Sequence, residues 1–563
     1  MTIQITRSGI TWEIAGNPTS GTYMNGDPWV VGPISVTNIT PLSVATGGGR
    51  IINGSEKNLR RRNNPAATWD DFLQGFDSLP SCAYDNTINV GRSLPIALAA
   101  GDSLVSTESD PNQTSSYLSA INRAAVLTVV AAPPAANEFR PPYWYPTRPA
   151  APYVWDDSML DQLPSVFPAS YGASIATMAS RMQQLWLSVG FNEASWRVMP
   201  QLQCHGYYRE RNIELGYMMM ALCSAIPKLQ KRALAIALCQ YGIDLAWAVK
   251  NGQYFASRHS TGRKAPIVLM AHITGFADFA DVNALCPVGT WDPYNDPYAL
   301  AQDHRVVWGE DGQTFVVAET SPGVYNWGKG RYTIQHVGQP EWGNDHWMLQ
   351  GDTDWSDWLS EEGIRGYRKC CSANGWLGQQ LAMRAMGLIR AWGHDPYFDY
   401  LARYLKIAPS IGFPSWQLDF TGALLPVWQQ YGADLALNGR SIGLAGPGAP
   451  RMEQLTVAGT ESPWQLRINS GQSVPVAGVL IRSSDASLRP RRSFWGVSTN
   501  GLVFLDEAGY QGHIPILVMP GGTTFNLPAI DDAGVSYVVQ AALIINDELV
   551  TTNAIQTTVV DGV

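Results

Sequence analysis

Residues 229–250 read LQKRALAIALCQYGIDLAWAVK, and this stretch decides the fold. Its apolar residues recur at helical spacing over a length that no ordinary strand reaches. The same period runs through 170–190, 208–224, 264–280, 372–392 and 396–407. Successive helices that are hydrophobic on broad faces predict an α-bundle or an α/α toroid, with the toroid favoured and a site built from loops at one rim.

The flanks have a different rhythm. From Ile3 to about Val130, short alternating apolar segments are broken by Gly, Pro, Asn and Asp, as in TYMNGDPWVVGPISVTNITPLSV, which predicts an N-terminal β-sandwich over 1–132. Residues 133–156, including RPPYWYPTRP (140–149), carry too many prolines for a helix or a central strand and predict an extended connector. Its Tyr and Trp residues suggest that it packs against a neighbour. A helical domain over 157–440 follows. GLAGPGAP (443–450) then opens onto strand signals such as SVPVAGVLIRSS and SYVVQAALIIN, which predict a C-terminal β-sandwich over 452–563. The expected fold class is thus multidomain α+β in β/α/β order.

With 45% hydrophobic and 15% charged residues the chain has a globular composition. Its net charge of −9 and the lack of any basic block beyond Arg60-Arg61-Arg62 argue against nucleic acid as a partner. The seven cysteines (82, 204, 223, 239, 286, 370 and 371) are odd in number and sit mostly in apolar helical patterns, which favours buried thiols over a disulfide framework. The opening MTIQITRSGITWEIAG has no apolar signal-peptide core, and no uninterrupted apolar run reaches bilayer length. These features predict a chain without membrane insertion, either cytoplasmic or carried on a virion and released by lysis.

Chemistry concentrates between His205 and His394, which bound seven of the eight histidines. Tryptophan is abundant at 21 residues, and indole and phenol faces stack on pyranose rings, so carbohydrate is the first ligand class to consider. In CHGYYRERNIELGYMMM, His205, Tyr208, Arg209 and Asn212 share one face if the helix already begins at His205. Such a face is too polar to be read as core: His or Tyr would move protons while Arg and Asn hold a carboxylate. Tyr207 and Arg211 flank it. The loop SRHSTGRKAP (257–266) adds Arg258, His259, Arg263 and Lys264; positive charge near a helix N-terminus opposes the helix dipole, which points to anion or uronate binding. In QPEWGNDHWMLQGDTDWSDW (339–358), Glu341, Trp342, His346 and Trp347 combine carboxylate, imidazole and indole, as glycan cleavage requires. Asp352, Asp354 and Asp357 offer oxygens to a structural calcium, without the full EF-hand spacing. Tyr367 and Arg368 open a further helix whose Trp376 reads as core. Without HExxH, paired CxxC, GxSxG or P-loop, no organic cofactor is expected.

The segments QYGIDLAWAVKNG, RHSTGRKAPI, PEWG, YRKCCSANGWLGQQLA and HDPYFDY, with GTYMNGDPWVVGP near the start, resemble bacterial and phage proteins related to α/α-toroid polysaccharide lyases. The resemblance covers roughly residues 1–430. It implies uronate neutralisation by Asn212 and Arg209, His205 or His259 as base, and Tyr208 as base or acid.

Two classes of function therefore stand. One is a depolymerase of acidic polysaccharide, by β-elimination or by hydrolysis through Glu210, Glu341 or Asp345. The other is a glycan-binding spike or tail component of a phage-like particle, with other particle proteins as partners. In either case His205, Tyr208, Arg209, Arg258, His259 and His346 are expected to converge on one cleft.

Overall fold

The computed structural model describes residues 1–62, 73–79, 84–114, 118–189, 198–201, 208–253, 255, 261–285, 308–316, 340–342, 372–410 and 422–435, and beyond 450 the backbone of the strands. These residues contain both helices and sheets, with strands leading the chain. They divide into two compact units. The first comprises Met1–Phe315, Trp342–Met383 and Tyr404–Leu424; the second comprises Val316–Glu341, Arg384–Arg403 and Leu425–Val563.

In the first unit, β1 (Thr2–Arg7) and β2 (Ile10–Ala15) form a hairpin whose turn residues Ser8 and Gly9 both have positive φ, at 51° and 79°. That geometry matches the twist of the paired strands. β2 turns Ile10, Trp12 and Ile14 inward in strict alternation, as a half-buried strand requires. It pairs with β5 (Ile34–Thr40), which pairs with β9 (Ile96–Leu98), giving a four-stranded sheet.

A second sheet of five strands runs in the order β3 (Ser20–Thr22), β4 (Pro28–Val31), β11 (Ile121–Val130), β10 (Ser103–Ser109) and β8 (Ser55–Lys57), with β4 and β11 parallel. A small hairpin, β6 (Val44–Ala45) with β7 (Ile51–Ile52), stands apart. Ile10, Trp12, Ile14 and Val36 of the first sheet share one core with Val30, Leu104, Leu127 and Val129 of the second. Trp12 cannot bury its indole N–H unpaired, and Nε1 donates across the core to Ser106 Oγ at 3.0 Å.

The Pro-rich segment 133–156 is anchored by its aromatic residues: Phe139, Tyr143, Trp144, Tyr153 and Trp155 are all buried. Tyr153 stacks on Phe276 with centroids 4.7 Å apart, and Trp144 bridges to Leu59.

The helices of this unit are α1 (Ile175–Met182), α2 (Tyr208–Leu222), α3 (Lys228–Lys250), α4 (Lys264–Thr274) and the short α5 (Gly309–Gln313). α6 (Ala373–Ala385) begins in the same unit. α3 has the length and hydropathy to cross a bilayer, but 89% of that stretch is buried inside the fold, so core packing accounts for its composition. α4 stops at Gly275, whose φ of 64° suits a residue without Cβ. Glycines also set two helix contacts. A Cβ on Gly216 of α2 would lie 3.0 Å from the Gly378 backbone of α6, and one on Gly242 of α3 would lie 2.6 Å from Pro266 O of α4. Trp376 is fully buried, and Cys223 and Cys239 are buried free thiols. The remaining five cysteines lie outside the described residues.

The second unit holds α7 (Ile389–Trp392), part of α8 (Asp395–Ser410) and α9 (Leu425–Leu435). Trp392 stacks on Tyr397 at 4.6 Å, and Arg384 lies over the Trp428 ring at 5.1 Å. Beyond 450, Arg451–Gln454, Trp464–Asn469 and Thr523–Leu527 form an antiparallel sheet. Val476–Ser483, Tyr510–Val518, Ser536–Ile545, Glu548–Thr551 and Ile555–Thr558 form another.

Candidate functional site

The densest described group of chemistry-bearing residues lies where the first turn of α2, the entry to α4 and the start of α5 meet. Arg211 donates from Nε to Thr261 O at 3.2 Å and again from Nη2 to the same oxygen. Asn212 Nδ2 donates to Thr261 Oγ1 at 2.7 Å, while Gln379 of α6 donates to Asn212 O at 3.1 Å and to its Oδ1 at 3.2 Å. α2 is therefore tied to the loop that precedes α4, and α6 is tied to α2. Gly262 in that loop has φ +86°, and its N–H donates to Glu310 Oε1 at 2.7 Å.

Lys264, the first residue of α4, donates to Asp311, the neighbour of Glu310. A cation at a helix N-terminus opposes the dipole, and Asp311 answers it locally. Burial still outweighs Asp311 and holds the Lys264 pKa below its ordinary value. Arg263 lies over the Phe255 ring at 4.8 Å, and Phe255 stacks on Trp308.

Glu310 is fully buried. Burial, helped by the adjacent Asp311 charge, pushes its pKa up to about 7. Its Oε2 is buried without a hydrogen-bond partner. Oε1 is fixed by Gly262, so the carboxyl has a set orientation and one oxygen to spare.

The expected site residues fall into three groups. Arg211, Asn212, Arg263 and Lys264 are brought together here, all fully buried, as is Tyr208 at the start of α2. The expectation that this polar helix face stands outside the core is corrected: Tyr208 and Asn212 are fully buried, and α6 and Thr261 both bond to Asn212. α2 starts at Tyr208. Arg209 pairs with the adjoining Glu210. Trp342 is buried and donates from Nε1 to Gln313 Oε1 at 3.2 Å, while Glu341 is described only as part of strand Pro340–Trp342. His205, Tyr207, Arg258, His259, His346, Trp347, Tyr367 and Arg368 lie outside the described residues, as do Asp352, Asp354 and Asp357, and with them the expected convergence on one cleft. Among the described residues, no group of three or more His, Cys, Asp or Glu has the arrangement of a metal site.

Sequence reasoning missed Glu310, Asp311 and Thr261. The acidic pair in WGEDGQ carries only the weak signal of carboxylates at a helix start. Its contact with Gly262 spans 48 residues and leaves no local pattern.

A second buried charge network lies in the same unit. Arg140 donates from Nε to Asp27 Oδ2 at 2.7 Å and from Nη2 to Asp244 of α3. Asp27 also receives Arg7 Nε at 3.2 Å and Asn25 Nδ2 at 2.8 Å. Burial lifts Asp244 to about 6 against the pull of Arg140, which leaves it ionised at neutral pH. These partners saturate Arg140, so the network reads as structural.

No family model, no curated protein and no solved structure gives a significant match to this chain.

Proposed function

We propose that the chain depolymerises an acidic polysaccharide, as a uronate-directed lyase acting by β-elimination. In this reading the helices form an α/α toroid, the strands beyond 450 form a β-sandwich, and the loops near Gly262 lie at the toroid rim. The single observation that carries the proposal is Glu310: a desolvated carboxyl that titrates near neutrality, with one oxygen unpartnered, set beside Asn212, Arg211, Arg263 and Lys264. β-Elimination needs a proton acceptor and positive or amide groups that steady an enolate-like intermediate. Glu310 supplies the first, and the Arg263 guanidinium supplies the second. No organic cofactor takes part.

The alternative is a glycan-binding component of a phage-like particle. What favours it is that Arg211 is spent on Thr261 O and Lys264 on Asp311, inside a fully buried cluster. The test is a panel of uronate-containing polymers incubated with the full chain. The lyase reading expects ultraviolet absorbance from new unsaturated ends, lost in a folded Glu310→Gln variant. Saturated reducing ends would move the assignment to a hydrolase. Binding without cleavage would support the particle reading.

A further inference from the structure

Where β11 ends and the Pro-rich segment folds back over it, the structure forms a cavity of about 510 Å³ that is partly open to solvent, away from Glu310 and its neighbours. Its walls are mostly apolar: Tyr23, Val129, Pro133, Pro152 and Tyr153 contribute ring faces and aliphatic surface. Four further residues give it chemical character.

Arg148 lines the cavity and, among the described residues, pairs with no carboxylate. Its guanidinium is nevertheless held in place. It lies over the Tyr145 ring at 4.7 Å, and Nη2 makes long contacts of 3.4 Å to Gly101 O and Ser103 Oγ. Nε is buried and has no partner. Burial pushes Arg148 down to about 10, which leaves it cationic at neutral pH.

Thr128 lines the same cavity, is only 3% exposed, and has a buried hydroxyl with no partner. A buried hydroxyl left without a partner is costly, and Arg148, half-buried with only its Nε fully enclosed, has no carboxylate beside it to neutralise its charge. Two such groups on one cavity mark a place for an anion. Arg140 also lines it, but Asp27 and Asp244 already neutralise that charge. Glu138 contributes a carboxylate to the lining, which disfavours a ligand with two negative charges.

We propose that this cavity binds a small organic monocarboxylate, with its oxygens on Arg148 Nε and Thr128 Oγ1 and its apolar face against the proline and tyrosine walls. A planar guanidinium suits a carboxylate. The site does not depend on the depolymerase reading, because none of its residues belongs to the cluster around Glu310.

Benzoate is a suitable probe, titrated calorimetrically into the full chain beside benzamide, its neutral isostere, and inorganic phosphate. Saturable binding of one benzoate per chain is expected, with benzamide about tenfold weaker or worse, the ratio one charge-assisted hydrogen bond supplies. Arg148→Met should weaken benzoate by a similar factor and erase its advantage over benzamide, while Thr128→Val, which keeps the shape, should weaken it by about threefold or more. Equal binding of benzoate and benzamide, preference for phosphate, no binding at all, or an unaltered affinity in either variant would overturn the proposal. If Arg148→Met fails to fold, the wild-type ligand comparison and Thr128→Val decide the matter.

Discussion

A Cβ placed on Gly262 would lie 2.2 Å from Asn212 Oδ1. The loop before α4 and the first turn of α2 therefore fit together only with glycine at that position. Its φ of +86° is a second reason, since L residues pay about 1–2 kcal/mol to enter the left-handed region. Gly262→Ala is expected to destabilise the chain by roughly 2–4 kcal/mol, the sum of this strain and a steric term of overpacking size. In an Asn212→Ala background, Gly262→Ala should cost only the strain part, because the clash is gone while the backbone strain stays. Urea denaturation of the single and double variants measures both; a Gly262→Ala loss under about 0.5 kcal/mol would contradict the fit.

Glu310 gives a pH signature. Its folded pKa of about 7 lies above the ordinary 4.5, so between these values the folded state holds a proton that the unfolded state has released. The stability it contributes is complete below pH 4.5 and is lost as pH rises through about 7. Glu310→Gln cannot lose that proton. The variant should gain on the wild type across this window, by about 3 kcal/mol at the upper end. Denaturation curves at several pH values test the sign: a difference independent of pH would rule out titration at this residue.

Arg140 neutralises two buried carboxylates at once. Arg140→Met should cost about 3–5 kcal/mol, because Asp244 is enclosed without the cation that offsets its burial, while Asp27 retains Arg7 and Asn25. The double variant Arg140→Met with Asp244→Asn should recover a substantial part of the loss. Thermal melts of both proteins provide the measurement, and equal melting temperatures for the single and double variants would show that Asp244 is not the stranded charge.

Trp12→Phe removes the indole N–H that reaches Ser106 across the two sheets. The loss should be about 1–3 kcal/mol, from the missing hydrogen bond and the smaller ring. Ser106→Ala in the Trp12→Phe background should cost less than Ser106→Ala alone, since no buried donor then remains unpaired. A double-mutant cycle reads this coupling directly.

Long apolar periodicity was legible wherever burial on one or more faces dictated it. The helical reading of 229–250 matches Lys228–Lys250, and that of 396–407 sits inside Asp395–Ser410. Ends set by a single backbone conformation were harder. The pattern over 264–280 outlasts its helix because Gly275 takes positive φ, and 372–392 is broken near Gly387 for the same reason. At the candidate site, Arg211, Asn212, Arg263 and Lys264 announced themselves as unusual charges in helical or loop contexts. Their enclosure did not: Tyr208, Arg211 and Asn212 look like a solvated face but are fully buried, with Thr261 of the loop before α4 on Arg211 and Asn212 and α6 close against α2 at Gly216 and Gly378. Glu310 was silent because its importance comes from desolvation, which residue types alone do not reveal.

The Arg140 junction also bears on how the chain assembles. Asp27 lies 113 residues before it and Asp244 lies 104 residues after it, yet one guanidinium serves both. A one-residue slip of the Pro-rich segment would shift that guanidinium by about 3.5 Å, out of reach of both acids. The junction thus checks alignment: only one threading of residues 133–156 between the sheets and α3 leaves no stranded charge. Neither the sheets nor α3 can come apart from this segment without leaving a carboxylate behind, so they should be lost together, in one cooperative melting step.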